Sequence, residues 1–340
     1  MLRIAVQKAS RNLIHPTDRR RLISFSSMFA GENIFIDGYD NLSEINYEFY
    51  DIIVVSHFAD IPFAKKILKS KTKILIDYCD FIHVVSPMVF YIKSIFSYMR
   101  GNYSSLLSKK QFLNFLKNCD GIIVGSDFQK LSLKNINKIH VIPDDLSEIR
   151  LQEPSKSRGI LWEGFSHGNY KIFNKLFELC KSGNLQNLQI VTDSKYALIS
   201  NFLFKISTKR ILKFLSKKHK FFNYSFSKWD LTNLIKASIK SNIALIPIAS
   251  KLIDKFKPEN KIILHIRLGL FPIVSAIPSY VDFEKKYGIK ITFEDKNNFK
   301  ELIGNFEYHY NDFISKRNKI IDDYSKKNIY KKWKKIIINE

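Results

Sequence analysis

The chain of 340 residues has three cysteines, Cys79, Cys119 and Cys180, too few and too scattered for a disulfide framework or a zinc cluster. Their scarcity fits a reducing compartment, so the expected location is cytoplasmic. Twelve glycines and nine prolines exclude collagen-like and Pro-rich linker sequences. No apolar run approaches the ~18 residues that a membrane-spanning helix needs. The longest, Phe81 to Ile92, is broken by His83, Ser86 and Pro87. Met1-Leu-Arg-Ile-Ala-Val6 reads as a first strand, without the pattern of a secretory leader. Acidic residues are scarce as well: 32 Asp and Glu face 55 Lys and Arg, a formal charge of +23. Such an excess suits an anionic partner: phosphate-bearing substrates, an anionic lipid surface or nucleic acid. The chain is also rich in Ile, Asn, Lys, Phe and Tyr, the residues of AT-rich codons. Base composition therefore raises lysine everywhere, and charge alone selects nothing.

What is present is enough apolar sequence for a core, at 45% hydrophobic and 26% charged residues. Short β-branched runs alternate with helical stretches along the whole chain. Arg3–Val6, Asn33–Ile36, Asp51–Val55, Lys73–Ile76, Gly121–Val124 and Ile139–Ile142 are continuous apolar runs, the signature of parallel strands covered on both faces. Helices are expected between them, as over Asp18–Phe29 and Pro62–Lys69. A polar stretch from Pro143 to Arg158, with two prolines and no apolar periodicity, reads as a linker. The series then restarts with Gly159–Trp162, Leu188–Val191, Asn242–Ile246, Phe271–Val274 and Ile289–Thr292. The expected class is α/β, with two Rossmann-like doubly wound domains facing across a cleft. Their bounds are 1–150 and 151–320, and a basic C-terminal helix over 321–340 is placed to pack back on the first domain. Ligand is expected at the carboxyl ends of the strands.

Three segments carry lysines among large apolar residues: 86–118, Leu198–Lys220 and Tyr324–Ile338. Each reads either as a core-packing helix with a solvated lysine face or as a basic amphipathic helix on an anionic membrane surface.

Several motifs fail. No glycine follows the first strand until Gly31, which removes the dinucleotide fingerprint. Gly159 to Gly164 has P-loop spacing, but Phe165-Ser166 follows where Lys-Ser/Thr is required. There is no H-E-x-x-H, C-x-x-C or G-x-S-x-G, and no zinc-finger or RNP-type pattern, so nucleic acid is not an expected partner.

The most informative stretch is Lys255-Phe-Lys-Pro-Glu-Asn-Lys261, running through Gly269 to Phe271-Pro-Ile-Val-Ser275 and Ile277-Pro-Ser-Tyr280. Pro258 suits the first turn of a helix and Gly269 its end. Lys257, Asn260 and Lys261 then cluster where free N–H groups and the helix dipole favour a phosphate. The plain alternative is a pair of solvated lysines.

This stretch resembles the donor-binding region of GT-B-fold glycosyltransferases, in which a Lys-x-x-Asn-Lys/Arg helix leads to a buried strand and a Pro-x-Tyr turn. Asn242-Ile-Ala-Leu-Ile-Pro247 upstream, the Gly159–Asn169 strand and glycine loop, and Gly121–Asp127 follow the family's order. Before residue 120 the resemblance is topological only. It implies transfer of a sugar from a nucleotide-sugar co-substrate to a saccharide or lipid-linked acceptor, in bacterial surface polysaccharide or glycolipid assembly. It further implies no metal and no other cofactor. Lys257, Asn260 and Lys261 would hold the donor diphosphate, with Gly164, Ser166 and His167 bringing backbone near it. The chain departs from many retaining members at Phe256 and Leu264, where those have glutamates, and Glu259 is out of register. The stereochemical course stays open.

For the first domain, His57 and Asp77 follow strands and suit a general base. His15, Arg19, Arg20 and Asp80 are candidates for the acceptor, although strand-end His and Asp also cap helices. Two rival readings stand: a GT-B-fold nucleotide-sugar epimerase, and a non-catalytic basic protein binding nucleic acid or anionic lipid.

Overall fold

The computed structural model describes residues 1–8, 18–40, 44–55, 65–68, 70–78, 81–99, 106–133, 136, 138–155, 157, 159–164, 170–192, 196–199, 204–248 and 252–338. They fall into two units: Met1–Glu148 with Lys255–Asn260 and Asp323–Glu340, and Ile149–Asp254 with Lys261–Asp322.

The first unit runs through β1 (Leu2–Gln7), a π-helical turn (Asp18–Ile23), α1 (Ser24–Met28), β2 (Ile34–Tyr39), β3 (Ile52–Val55) and β4 (Lys73–Asp77). It continues with α2 (Pro87–Met99), α3 (Lys109–Asn118), β5 (Gly121–Val124), α4 (Asp127–Leu131) and β6 (Ile139–Val141). The strands form one parallel sheet in the order β2-β1-β3-β4-β5-β6. Continuous apolar strands are needed because successive side chains feed opposite layers. In β3, Ile53 and Val55 enter the layer holding Phe112 and Phe115, whereas Ile52 and Val54 enter the layer holding Phe25, Phe29 and Trp333. Helix α3 starts on a capping box, with the Ser108 hydroxyl accepting from Gln111 N and the Gln111 side chain accepting from Ser108 N.

The second unit comprises β7 (Ile160–Gly164), α5 (Tyr170–Ser182), β8 (Leu188–Thr192), β9 (Tyr196–Ile199), β10 (Phe204–Ser207), α6 (Thr208–His219), β11 (Tyr224–Lys228) and α7 (Leu231–Ile239). Then come β12 (Ile243–Ile246), α8 (Asn260–Arg267), β13 (Phe271–Ser275), α9 (Pro278–Tyr287), β14 (Thr292–Phe293), α10 (Lys296–Gly304) and α11 (Phe306–Asp323). The parallel sheet has the order β11-β8-β7-β12-β13-β14. With the β9–β10 hairpin set aside, this is the doubly wound 3-2-1-4-5-6 order, whose direction reverses between β7 and β12. Those two strands approach so closely that a Cβ on Gly159 would lie 2.0 Å from the Lys240 carbonyl oxygen. The Gly159 carbonyl accepts from Asn242 N and Ile243 N, which fixes the register there.

The last helix, α12 (Lys326–Ile337), belongs to the first unit. Ile329, Trp333, Ile336 and Ile337 are buried against β1, β3 and α1. Lys73 Nζ donates to the Ile336 carbonyl at 2.7 Å, satisfying one of the carbonyls that a helix end leaves open.

The expected α/β class holds, with differences from the sequence reading; the strand expected over Ile289–Thr292, for one, forms only over Thr292–Phe293. The basic stretch Leu198–Lys220 begins as the antiparallel hairpin of β9 and β10 and turns helical only at Thr208. The apolar face of α6, formed by Ile211, Leu212 and Leu215, is buried in the unit's own core. Strand β11 was absent from the sequence reading because Tyr-Ser-Phe-Ser-Lys is a half-exposed edge strand without a continuous apolar run.

Candidate functional site

Helix α8 carries the residues of most chemical interest. Ile262, Ile263, Leu264 and Ile266 are all buried, so this short helix is held rigidly under the second sheet. It ends at Gly269, with φ +77°. A Cβ there would sit 2.5 Å from the Glu153 carbonyl oxygen, so both conformation and space require glycine. Gly269→Ala is expected to cost about 2 kcal/mol or more of unfolding free energy, read from a denaturant midpoint.

Rigid placement of α8 brings Lys261 to the carboxyl end of β7. Its Nζ donates to the Glu163 carbonyl at 2.7 Å and lies 3.1 Å from Glu163 Oε1. It also stands 5.8 Å from the centre of the Trp162 ring. A Cβ on the next residue, Gly164, would come 3.0 Å from Nζ and 3.3 Å from Trp162 Cζ2. The absence of a side chain at Gly164 leaves room for the lysine at the end of β7. Glu163 is buried, and so is His265, whose Nε2 is 3.9 Å from Glu163 Oε1. Among the described residues, His265 Nδ1 has no hydrogen-bond partner.

Burial pushes the His265 imidazole down to about 4, and the Lys261 charge adds to this against the opposing pull of Glu163. His265 is thus neutral at neutral pH, leaving Lys261 as the fixed cation of the cluster. The folded state binds a proton at His265 less readily than the unfolded chain. The stability gained by keeping His265 neutral is complete above the ordinary histidine range and declines as pH falls toward 4. Between pH 7 and pH 5 the chain should lose about 2 kcal/mol through this group. His265→Gln should remove that part of the acid sensitivity in paired melting curves.

A second half-buried cation was not foreseen from sequence. Lys175 on α5 donates to Ser275 Oγ at 3.3 Å, and that hydroxyl also accepts from Ile248 N at 3.0 Å. Lys175 thereby stands at the carboxyl ends of β12 and β13, and burial holds its amine below the usual lysine range. Nothing in Tyr-Lys-Ile-Phe-Asn-Lys distinguishes it from a solvated helix lysine. Glu163 was likewise unforeseen, since a glutamate at the end of an apolar strand reads as its polar boundary.

The other candidates are distributed as follows. Lys261 and Gly164 are brought together in the second unit. Lys257 and Asn260 belong to the first unit, where Lys257 is exposed and Asn260 Oδ1 accepts from Asp144 N at 3.5 Å. Arg20 is drawn to acidic partners, with Nε 3.1 Å from Glu148 Oε1 and Nη1 4.0 Å from Asp144 Oδ2. Asp77 is buried at the carboxyl end of β4. Tyr78 follows it, and its hydroxyl lies 2.6 Å from His83 Nδ1. Burial, with Lys109 nearby, pushes His83 down to about 4, so it too is neutral. His15, His57, Asp80, Ser166, His167 and the Arg19 side chain lie outside the described residues. Among the described residues, no group of three His, Cys, Asp or Glu side chains is placed to hold a metal ion. Nor is any described helix long and apolar enough to cross a membrane.

Two parallel six-stranded sheets in one chain, the second with its switch point at β7 and β12, give the two-domain α/β arrangement seen in GT-B structures. Solved structures agree along nearly the whole chain. It is similar to sucrose-phosphate synthase from Thermosynechococcus elongatus at 11% identity and a TM-score of 0.67, over 97% of this chain and 96% of that one. Anabaena HepE in complex with UDP and glucose matches at 9% identity and 0.62, over 97% and 98%. WaaG, a glycosyltransferase involved in lipopolysaccharide biosynthesis, matches at 11% and 0.57, over 99% and 100%. By sequence, the chain matches no family model and no curated protein. At these identities the likeness is one of fold.

Proposed function

We propose that the chain is a glycosyltransferase that moves a sugar from a nucleotide-diphosphate sugar to a saccharide or lipid-linked acceptor. The observation that carries this reading is Lys261 Nζ, held beside Gly164 at the end of β7 and the switch point of the second sheet. There, strand carboxyl ends and a helix start together favour a diphosphate. A nucleotide diphosphate leaves with its charge developing, and a fixed ammonium in a partly dry site stabilises that charge without a metal ion. Lys175 adds a second half-buried cation to the same edge. Lys257 and Asn260 remain assigned to the diphosphate, together with the loop residues Ser166 and His167. Asp77 or His57 is assigned the acceptor's hydroxyl proton, and His15, Arg19, Arg20 and Asp80 the rest of the acceptor.

Surface polysaccharide or glycolipid synthesis on the inner face of the cytoplasmic membrane is the setting we assign. The +23 charge and the fold shared with an enzyme of lipopolysaccharide biosynthesis support it. The test is incubation with a panel of UDP- and GDP-sugars, with and without lipid-linked saccharide acceptors, followed by detection of released nucleotide and product. Sugar transfer that requires acceptor supports the proposal. Epimerised sugar formed without any acceptor would place the chain among epimerases instead. Salt-sensitive polyanion binding with no nucleotide-sugar affinity would leave only a basic binding protein.

A further inference from the structure

Helix α2 is turned inside out. Its inward side holds Phe90 and the hydroxyl of Ser94, both buried, and Ser94 Oγ accepts from Leu107 N at 2.8 Å. Its outward side is apolar. Met88, Val89, Tyr91, Ile92, Phe96 and Met99 are all exposed, with Met88 at 73%, Phe96 at 51% and Met99 at 74%. At 100° per residue these side chains, with Ile95 among them, cover a continuous arc of about 160°. Lys93, also exposed, stands at the margin of that arc. A surface helix ordinarily shows the reverse pattern, and a contiguous exposed apolar face marks an interaction site.

The charge around the helix selects its occupant. From Phe81 to Cys119 there is no Asp or Glu, while Lys93, Arg100, Lys109, Lys110 and Lys117 fall within the same stretch. Lys110 and Lys117 on α3 are exposed. An apolar arc on a segment whose only charged residues are basic fits an interface that is apolar inside and anionic outside. The helix has 13 residues, about 20 Å at 1.5 Å each, short of the ~30 Å hydrocarbon layer, so it suits lying in the headgroup plane rather than crossing. The other two basic segments are not available for this, because the apolar faces of α6 and α12 are spent within their own units.

We infer that the outward face of α2 is an interfacial anchor that docks the chain on an anionic lipid bilayer. This does not rest on the glycosyltransferase reading, and its test reads no catalysis. The full chain is floated with vesicles of phosphatidylcholine alone and with vesicles of equal parts phosphatidylcholine and phosphatidylglycerol. Wild type should float with the anionic vesicles at low salt, at least about tenfold more than with the neutral ones. The triple variant Ile92→Ser/Phe96→Ser/Met99→Ser should lose about tenfold or more of that binding. Its melting temperature should stay within a few degrees of wild type, because these side chains are 40–74% exposed. Wild type that stays with the soluble fraction would overturn the inference, and so would a triple variant that floats as well as wild type. A wild-type dimer that the triple variant splits, with no lipid binding by either, would assign the face to a second copy and also overturn it.

Discussion

Lys261→Ala is expected to lower kcat/KM for the nucleotide-sugar by about 10²–10³-fold, the usual effect of deleting one preorganised charge from an anionic transition state. The complication lies in Glu163, which is buried and loses its 3.1 Å ionic partner in that variant. Removing one member of a buried pair destabilises a protein by about 3–5 kcal/mol, so a fall in activity has to be separated from unfolding. Lys261→Ala/Glu163→Gln supplies the control: the neutral amide should restore most of the melting temperature and none of the turnover. Glu163→Gln alone should retain activity, since Lys261 keeps its hydrogen bond to the Glu163 carbonyl. Turnover unchanged in the double variant would remove the phosphate site from α8.

Trp333→Ala should lose about 3–5 kcal/mol of unfolding free energy, measured by denaturant titration of the full chain. The indole is buried, and its ring centre lies 4.7 Å from that of Phe25. Tyr330, one turn earlier, packs on Phe29 at 5.2 Å. The arrangement explains the composition of the segment. Ile329, Trp333, Ile336 and Ile337 recur on one side of α12 and complete a layer of the first sheet. Between them stand lysines at 331, 332, 334 and 335, one of which, Lys334, reaches over the Tyr330 ring at 5.8 Å. Substituting two of the exposed lysines by glutamine should change stability by no more than about 0.5 kcal/mol. A loss of several kcal/mol there, with little at Trp333, would mean the helix is held by charge.

Much of the architecture is readable in the sequence because strands covered on both faces must be apolar at every position. That is why β3, β5, β12 and β13 stand out as unbroken runs. Strand β11 has one partner strand and alternating serines, so its pattern resembles a loop. The β9–β10 pair carries only Lys205 and runs directly into the lysine-rich α6, so its apolar residues read as part of one long basic helix. At the site, Lys261 was legible because proline before and glycine after bracket a short helix and leave lysine in its first turn. Glu163 and Lys175 acquire meaning only through neighbours roughly a hundred residues away in sequence, which no local pattern encodes. Asn260 and Lys261 open α8 side by side, as the sequence places them.

The contact between Lys261 and Glu163 bears on how the chain would let go of a spent nucleotide. An ammonium ion already satisfied by an internal carboxylate and a carbonyl does not wait in a vacuum for its ligand; it swaps one anion for another. Under the proposed function that competition would weaken net nucleotide binding, and the carboxylate would recapture the lysine as the nucleotide leaves, so turnover would exchange an inner counter-ion for an outer one.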